Sequence, residues 1–167
     1  MVSEMILHFG YGSNLWFEQM NERCPDNIRK GKGILRDWKW FIAERPGTRI
    51  GGAANIIKSD GDFVEGYVFD LSEADEEKLD IREGSKYKKE KVEIEIDGRI
   101  EKDVMIYVDG ENTNDVTDGT KLKVNNNPFP CTVGCLCTYG SRINKGIKDS
   151  GLSAEYVQRY IRTFIDD

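Results

Sequence analysis

Apolar positions along the chain follow two patterns that predict β-strands. Residues 5–9 form a short continuous apolar run, typical of a buried strand, and residues 91–96 alternate strictly between polar and apolar side chains. Asp97 and Gly98 then predict a two-residue hairpin turn, after which residues 104–108 return as the partner strand. Further strands are predicted at 28–44 (one strand or two), at 51–57, at 63–70 after a turn over 59–62, from Tyr87 onward, and at 121–124 within a long loop over 109–130.

Helices are predicted where a capping residue precedes apolar residues spaced three or four positions apart. Ser72, with Asp75 three residues later, predicts a helix start, and this helix should end at residues 83–84. Ser153 predicts the start of a last helix with one apolar face. Together the elements predict an α+β fold, a single domain over residues 1–167 with a mixed, mostly antiparallel β-barrel or sheet surrounded by helices. Two further helices are predicted at 16–22 and 132–148.

Composition narrows the classes of function. The 167 residues are 32% charged and 38% hydrophobic, which suits a globular chain with room for a core. Lys and Arg total 24 against 30 Asp and Glu, and the net charge of −6 argues against a general nucleic-acid binder. No apolar run is long enough to cross a membrane, and the N-terminus has no signal-peptide pattern, so we expect a cytoplasmic protein without a membrane partner.

The cysteines and the single histidine favour neither a metal site nor a thiol nucleophile. Cys131, Cys135 and Cys137 have a spacing that is not a common zinc pattern, and Cys24 stands apart. We expect free thiols that pack in the core. His8 lies in the middle of the first predicted strand, where a packed core residue is expected rather than the base of a Cys–His pair.

The turn after the first strand is one candidate site. Such a turn, between a strand and a helix, directs successive backbone N–H groups into one concavity that can hold an anion. Its glycines can adopt backbone angles closed to other residues, and its serine and asparagine add polar side chains. On the residues alone, a strand–helix junction that binds nothing is an equally good interpretation. The turn comprises Gly10, Tyr11, Gly12, Ser13, Asn14 and Leu15.

Glu83 is the carboxylate that we single out for chemistry. It is predicted at the C-terminus of a helix, where the helix dipole disfavours the ionised form, and partial burial would raise its pKa further. A glutamate with a pKa near neutrality can accept a proton in one step and return it in the next. The simpler interpretation is one of 30 acidic residues on a solvated face. Tyr87, Tyr107 and Tyr139 are by default core or sheet aromatics.

Motifs spread over nearly the whole chain resemble the γ-glutamyl cyclotransferase family. Residues 9–15, F-G-Y-G-S-N-L, look like the opening motif of that family, with Gly10 in place of the usual alanine. Residues 79–84, L-D-I-R-E-G, match its L-D-x-x-E-G motif, in which the glutamate is the catalytic acid/base. Residues 128–134 depart from the family, which commonly has P-S-x-x-Y before the last helical region. Shorter matches lie at 23–25, 52–56, 64–69 and 146–152, and at the tyrosines 87, 107, 139 and 156.

The resemblance implies a reaction and a set of site residues. In this family the α-amine of a γ-glutamyl compound attacks its own γ-carbonyl, which releases 5-oxoproline and an amine, with no metal or nucleotide cofactor. Glu83 would be the catalytic acid/base, and residues 10–15 would hold the substrate together with Tyr87, Tyr107 and Tyr139. The implied partner is a small γ-glutamyl molecule, and the implied assembly is a monomer or homodimer.

Several alternatives stay open because residues 128–138 differ from the family pattern. The leaving group could be an amino acid, a glutathione-derived fragment, a simple amine or a thiol-containing intermediate. The chain could also be a binding module that keeps the pocket without turnover. An unrelated hydrolase is disfavoured by the absence of Ser–His, Cys–His and metal-ligand sets in the sequence.

Overall fold

Five β-strands form a closed barrel with helices packed around it. The computed structural model describes residues 6–44, 52–111 and 139–167. The strand order around the barrel is β1-β3-β2-β4-β5. The strands are β1 (Ile6–Gly10), β2 (Ile28–Glu44), β3 (Gly52–Leu71), β4 (Lys88–Ile96) and β5 (Arg99–Val108). The α-helices are α1 (Phe17–Arg23), α2 (Glu73–Glu83), α3 (Tyr139–Ser150) and α4 (Ala154–Arg159), and short 3₁₀ helices cover Ser13–Leu15 and Ile161–Thr163.

The strand pairing confirms the predicted fold class. β1–β3, β2–β3, β2–β4 and β4–β5 are antiparallel, and a parallel pairing of His8 with Met105 joins β1 to β5 and closes the barrel. The hairpin between β4 and β5 turns at Asp97 (φ 49°) and Gly98 (φ 78°), as the sequence predicts. The sheet is therefore mixed and mostly antiparallel.

One predicted turn is wrong. Residues 59–62 do not reverse the chain, because β3 runs continuously for 20 residues. Its pairing with β2 shifts from Arg36–Phe63 to Trp38–Lys58, so the four residues 59–62 form a bulge opposite Asp37. Gly61 N–H donates to the Asp37 carboxylate at 3.0 Å, and Gly61 has a φ of 84°. The turn-forming residues thus bend one strand and do not end it.

The two capped helices begin where the sequence predicts, but the last one is shorter than its apolar face, since α4 ends at Arg159 and a 3₁₀ helix covers Ile161–Thr163. The Ser72 hydroxyl accepts the Asp75 N–H, and α2 ends before Gly84, which has a φ of 74°. Ser153 caps α4 in the same way through the N–H of Tyr156. Several predictions lie outside the described residues. They are the strand at 121–124, the part of the 132–148 helix before Tyr139, and the segment 128–138 with its three cysteines.

Close packing around glycines positions the end of β1. A Cβ added at Gly66 would lie 2.3 Å from the carbonyl oxygen of Gly10, so β3 approaches β1 more closely than a larger residue allows. On the other side of the turn, a Cβ at Gly146 would lie 2.6 Å from Leu15 Cβ. The turn after β1 is therefore held between the barrel and α3. None of the described helices is long and apolar enough to span a bilayer.

Candidate active site

A cavity of about 210 Å³ opens where β1 ends, beside the C-terminus of α2. Ligand pockets commonly have volumes of roughly 300–1,000 Å³, so this one suits a small ligand. It brings together the turn after β1, Glu83 and the three singled-out tyrosines, which are far apart in sequence. The lining residues are His8, Phe9, Gly10, Tyr11, Gly12, Ser13, Asn14, Arg23, Ala53, Ala54, Arg82, Glu83, Tyr87, Tyr107 and Tyr139.

The turn is rigidly anchored, and its last residue faces away from the cavity. Leu15 N–H donates to the Gly12 carbonyl at 3.1 Å, and the indole N–H of Trp40 donates to the Tyr11 carbonyl at 2.9 Å. Leu15 is fully buried and does not line the cavity. Of the predicted substrate-binding residues 10–15, Leu15 alone is missing from the described lining, because the 3₁₀ turn uses its N–H and its side chain packs in the core.

The glycines of the turn allow close packing, and neither has a positive φ. Gly12 has a φ of −117° and a ψ of −130°. A Cβ at Gly12 would lie 3.1 Å from Ala54 Cβ and 3.2 Å from the Tyr139 hydroxyl oxygen. A Cβ at Gly10 would meet nothing closer than 3.4 Å, which is ordinary contact. Gly12 is thus the position where the turn and the opposite wall meet.

The tyrosine hydroxyls connect the cavity wall to the backbone of the barrel. The Tyr139 hydroxyl accepts the Ala54 N–H at 3.0 Å, and the Tyr87 hydroxyl donates to the Ala54 carbonyl at 3.3 Å. Tyr11 donates to the carbonyl of Tyr107, whose own hydroxyl donates to Asp80 on α2. These bonds hold the rings in place around the cavity, although Tyr87 lies just before β4 rather than within it.

Burial raises the pKa of several of these phenols. The pKa values of Tyr11 and Tyr139 are raised well above 10 by burial and by the neighbouring Tyr87. The pKa of Tyr107 is raised by burial and by its hydrogen bond to Asp80. All three hydroxyls are therefore protonated at neutral pH and act as hydrogen-bond donors or acceptors, not as bases.

Glu83 is the last residue of α2 and lines the cavity, half-buried. The prediction that it lies at a helix C-terminus is confirmed, and the prediction of a raised pKa stays a prediction. Its charge is close enough to act on the pKa values of Tyr11 and Tyr139. A carboxylate and several fixed phenols thus surround one small cavity. Such groups can transfer a proton and polarise a carbonyl group.

Arg23 and Arg82 also line the cavity, although the sequence did not predict either of them as a site residue. Arg23 Nη1 donates to Asn14 Oδ1 at 2.8 Å, and Gln19 donates to Ser13 Oγ at 2.9 Å, so α1 holds the polar side chains of the turn. Burial, together with repulsion from Arg82, lowers the pKa of Arg23 to about 10. The R-C-P match at 23–25 was the available signal for Arg23.

His8 is buried at the base of the cavity, as predicted for a packed strand residue. It is 2% exposed, and its ring lies 5.5 Å from that of Tyr107 in an edge arrangement. Burial lowers its pKa to about 4, so it is neutral at physiological pH. Among the residues that the structure describes, no group of three or more His, Cys, Asp or Glu side chains is arranged to hold a metal ion.

Comparison with known proteins identifies the family. The family described as "Gamma-glutamyl cyclotransferase, AIG2-like" matches residues 8–125. The gamma-glutamylcyclotransferase of Bos taurus is 36% identical over 87 residues, which cover 50% of this chain. This match spans about half of that relative, 46% of its length.

Solved structures agree over a larger part of the chain. A crystal structure of an uncharacterised Homo sapiens protein has a TM-score of 0.73 and 25% identity, and covers 99% of this chain and 91% of that one. A structure named gamma-glutamyl cyclotransferase has the same TM-score at 24% identity, and covers 98% and 90%. The barrel, the cavity at the end of β1 and the family match agree with one another, and the chain belongs to the γ-glutamyl cyclotransferase, AIG2-like family.

Proposed function

We propose that this protein is a γ-glutamyl cyclotransferase that converts a γ-glutamyl compound to 5-oxoproline and a free amine. The observation that carries this proposal is that Glu83, at the end of α2, lines the same small cavity as residues 10–14, after β1. The named relatives that match about half of the chain support the same reaction. The expectation of a cytoplasmic enzyme for a small molecule, as a monomer or homodimer, remains part of the proposal.

The glutamyl end of the substrate would bind at the turn. Its α-carboxylate would lie against residues 10–14, where Arg23, fixed on Asn14, adds a positive charge. This placement brings the α-amine and the γ-carbonyl of the same molecule together. Because the attack is intramolecular, the protein's main task is to hold the folded conformation of the substrate and to move protons.

Glu83 would carry the proton in both directions. The α-amine attacks the γ-carbonyl carbon and forms a new C–N bond, while Glu83 accepts the proton that the amine loses. The tetrahedral intermediate then collapses, the original amide C–N bond breaks, and Glu83 returns the proton to the leaving nitrogen. The atoms balance without water, since the substrate divides into 5-oxoproline and an amine.

The Tyr139 hydroxyl would stabilise the developing charge on the carbonyl oxygen, and Tyr87 would orient the substrate. Tyr139 accepts the Ala54 N–H, which positions its hydroxyl and leaves its own proton for the substrate, whereas Tyr87 donates its proton to the Ala54 carbonyl. Fixed donors of this kind lower the barrier because they need no reorganisation during the reaction.

The test is release of 5-oxoproline from γ-glutamyl amino acids, a γ-glutamylamine and glutathione. We expect Glu83→Gln to lower kcat by ~100-fold or more, because glutamine keeps the shape and cannot accept the proton. Glu77→Gln is the matched control, since Glu77 lies on the same helix, is exposed and is not among the cavity-lining residues. Near-normal kcat in Glu83→Gln would remove Glu83 from the mechanism, and free glutamate as the product would identify a hydrolase instead.

A further inference from the structure

Two guanidinium groups line the cavity, and they are held differently. Arg23, the last residue of α1, is half-buried and bonded to Asn14. Arg82, the residue before Glu83 on α2, is exposed. Within residues 6–44, 52–111 and 139–167, Arg82 has no hydrogen-bond or ion-pair partner. The Arg23 guanidinium is therefore bound to the turn, and the Arg82 guanidinium is open to a ligand at the solvent side of the cavity.

The two positive charges are close enough to repel each other. Repulsion from Arg82 contributes to the lowered pKa of Arg23. This repulsion is unfavourable, and a bound anion would relieve it. The described lining carries two arginines and one glutamate, which gives two positive charges against one negative, or a net charge of +1, in a chain whose total is −6.

The charge of the possible substrates distinguishes them. A γ-glutamyl derivative of an α-amino acid has one ammonium and two carboxylates, so its net charge is −1. A γ-glutamylamine lacks the second carboxylate and is neutral overall. Only the first kind offers an anion to each guanidinium of the cavity, and charge-assisted hydrogen bonds from arginine to a carboxylate are among the strong ones.

Building on the proposed function, we propose that Arg82 determines specificity by binding a carboxylate on the leaving amine. Arg23 and residues 10–14 would take the glutamyl α-carboxylate, and Arg82 would take the second carboxylate. In a γ-glutamyl α-amino acid a single carbon separates this carboxylate from the leaving nitrogen. Arg82 and Glu83 are consecutive, so the bound carboxylate would hold the leaving nitrogen beside the group that protonates it.

A matched pair of ligands tests the proposal. γ-Glutamylalanine and γ-glutamylethylamine differ only by the carboxylate on the leaving amine. We expect wild-type kcat/KM to favour γ-glutamylalanine by about tenfold to a hundredfold, mainly through KM, the range typical of one hydrogen bond to a charged group. Arg82→Gln should lower this ratio by about tenfold or more, and Arg82→Lys, which keeps the charge, should recover part of it.

Arg99→Gln is the control for the change in net charge. Arg99 is exposed at the β4–β5 hairpin, ion-paired with Glu101 at 3.7 Å. It precedes Tyr107 by eight residues along β5, roughly 27 Å at the rise of an antiparallel strand. We expect Arg99→Gln to keep the wild-type ratio, and a loss equal to that of Arg82→Gln would overturn the proposal by indicating a general effect of charge.

Binding separates failure of this proposal from failure of the proposed function. Calorimetry on Glu83→Gln, with and without Arg82→Gln, would measure the affinity for both ligands in the absence of turnover. If wild type releases no 5-oxoproline from either ligand, the proposed reaction fails, and wild type itself then serves for the binding measurement. Equal affinity for both ligands, or a preference that survives Arg82→Gln, would overturn the role of Arg82.

Discussion

Adding one methyl group should be tolerated at Gly10 and harmful at Gly12, the two glycines of the turn. Gly10→Ala places its Cβ no closer than 3.4 Å to any neighbour, whereas Gly12→Ala places it 3.1 Å from Ala54 Cβ and 3.2 Å from the Tyr139 hydroxyl oxygen. Neither glycine has a positive φ, so neither substitution places alanine in the left-handed region. The family resemblance also favours alanine at position 10.

The size of the effect at Gly12 follows from the two atoms that must move. Both neighbours have to yield by a few tenths of an ångström, and overpacking of this kind costs about 1–2 kcal/mol of unfolding free energy. For a chain of this length that corresponds to a fall in Tm of about 2–8 °C. Ala54 and Tyr139 are also joined by a 3.0 Å hydrogen bond across the cavity wall. Because displacement of a positioning group is costly for catalysis, we expect kcat to fall by about tenfold or more.

Thermal unfolding and 5-oxoproline release, measured on both variants, check this reasoning. Gly10→Ala should stay within about 0.5 kcal/mol of wild type in stability, as substitutions without steric conflict usually do, and should retain its activity. Gly12→Ala should lose both. Equal losses in the two variants, or wild-type Tm and kcat in Gly12→Ala, would refute the argument that close approach explains this glycine.

Two further predictions concern the walls of the cavity. Gly146→Ala places a Cβ 2.6 Å from Leu15 Cβ and 2.8 Å from backbone atoms of Leu15 and Trp16. We expect the free energy of unfolding, measured by urea denaturation, to fall by about 2–3 kcal/mol and the activity to fall with it. An unchanged denaturation midpoint would contradict this prediction. Burial lowers the pKa of His8 from 6.5 to about 4. Between pH 4 and pH 6.5 the unfolded state therefore binds more protons than the folded state, and the stability contributed by neutral His8 is lost as the pH falls from 6.5 towards 4. This loss amounts to about 3 kcal/mol, and it should be absent in His8→Phe when free energies of unfolding are compared at pH 4 and pH 7. Parallel pH dependences in the two proteins would show that His8 does not contribute.

Features that depend on a few neighbouring residues were predictable from the sequence. The Ser72 and Ser153 caps, the Asp97-Gly98 hairpin and the end of α2 at Glu83 all arise from local hydrogen bonding and backbone preference, and the structure has them where the pattern predicts. The same holds for the strict alternation in β4, because its two faces meet different environments.

Predictions failed where a distant part of the chain changed the outcome of a local signal. The turn-forming residues at 59–62 became a bulge because β2 continues to pair with β3 on both sides of Asp37. The turn signal at Gly12 did not reveal that Ala54 and Tyr139, which come from other elements, approach it closely. Leu15 belonged to the motif, but α3 packs against it and the core takes its side chain.

The candidate site divides in the same way. Residues 10–14 and Glu83 carry local signals, a turn and a helix end, that the sequence alone shows. No local signal distinguished Arg82 from other charged residues on an exposed helix, and nothing in its spacing placed it near Arg23. Their approach depends on how α1 and α2 pack against each other. Local chemistry thus specifies elements and their ends, whereas the meeting of charges from distant elements depends on close packing that no short stretch of sequence encodes.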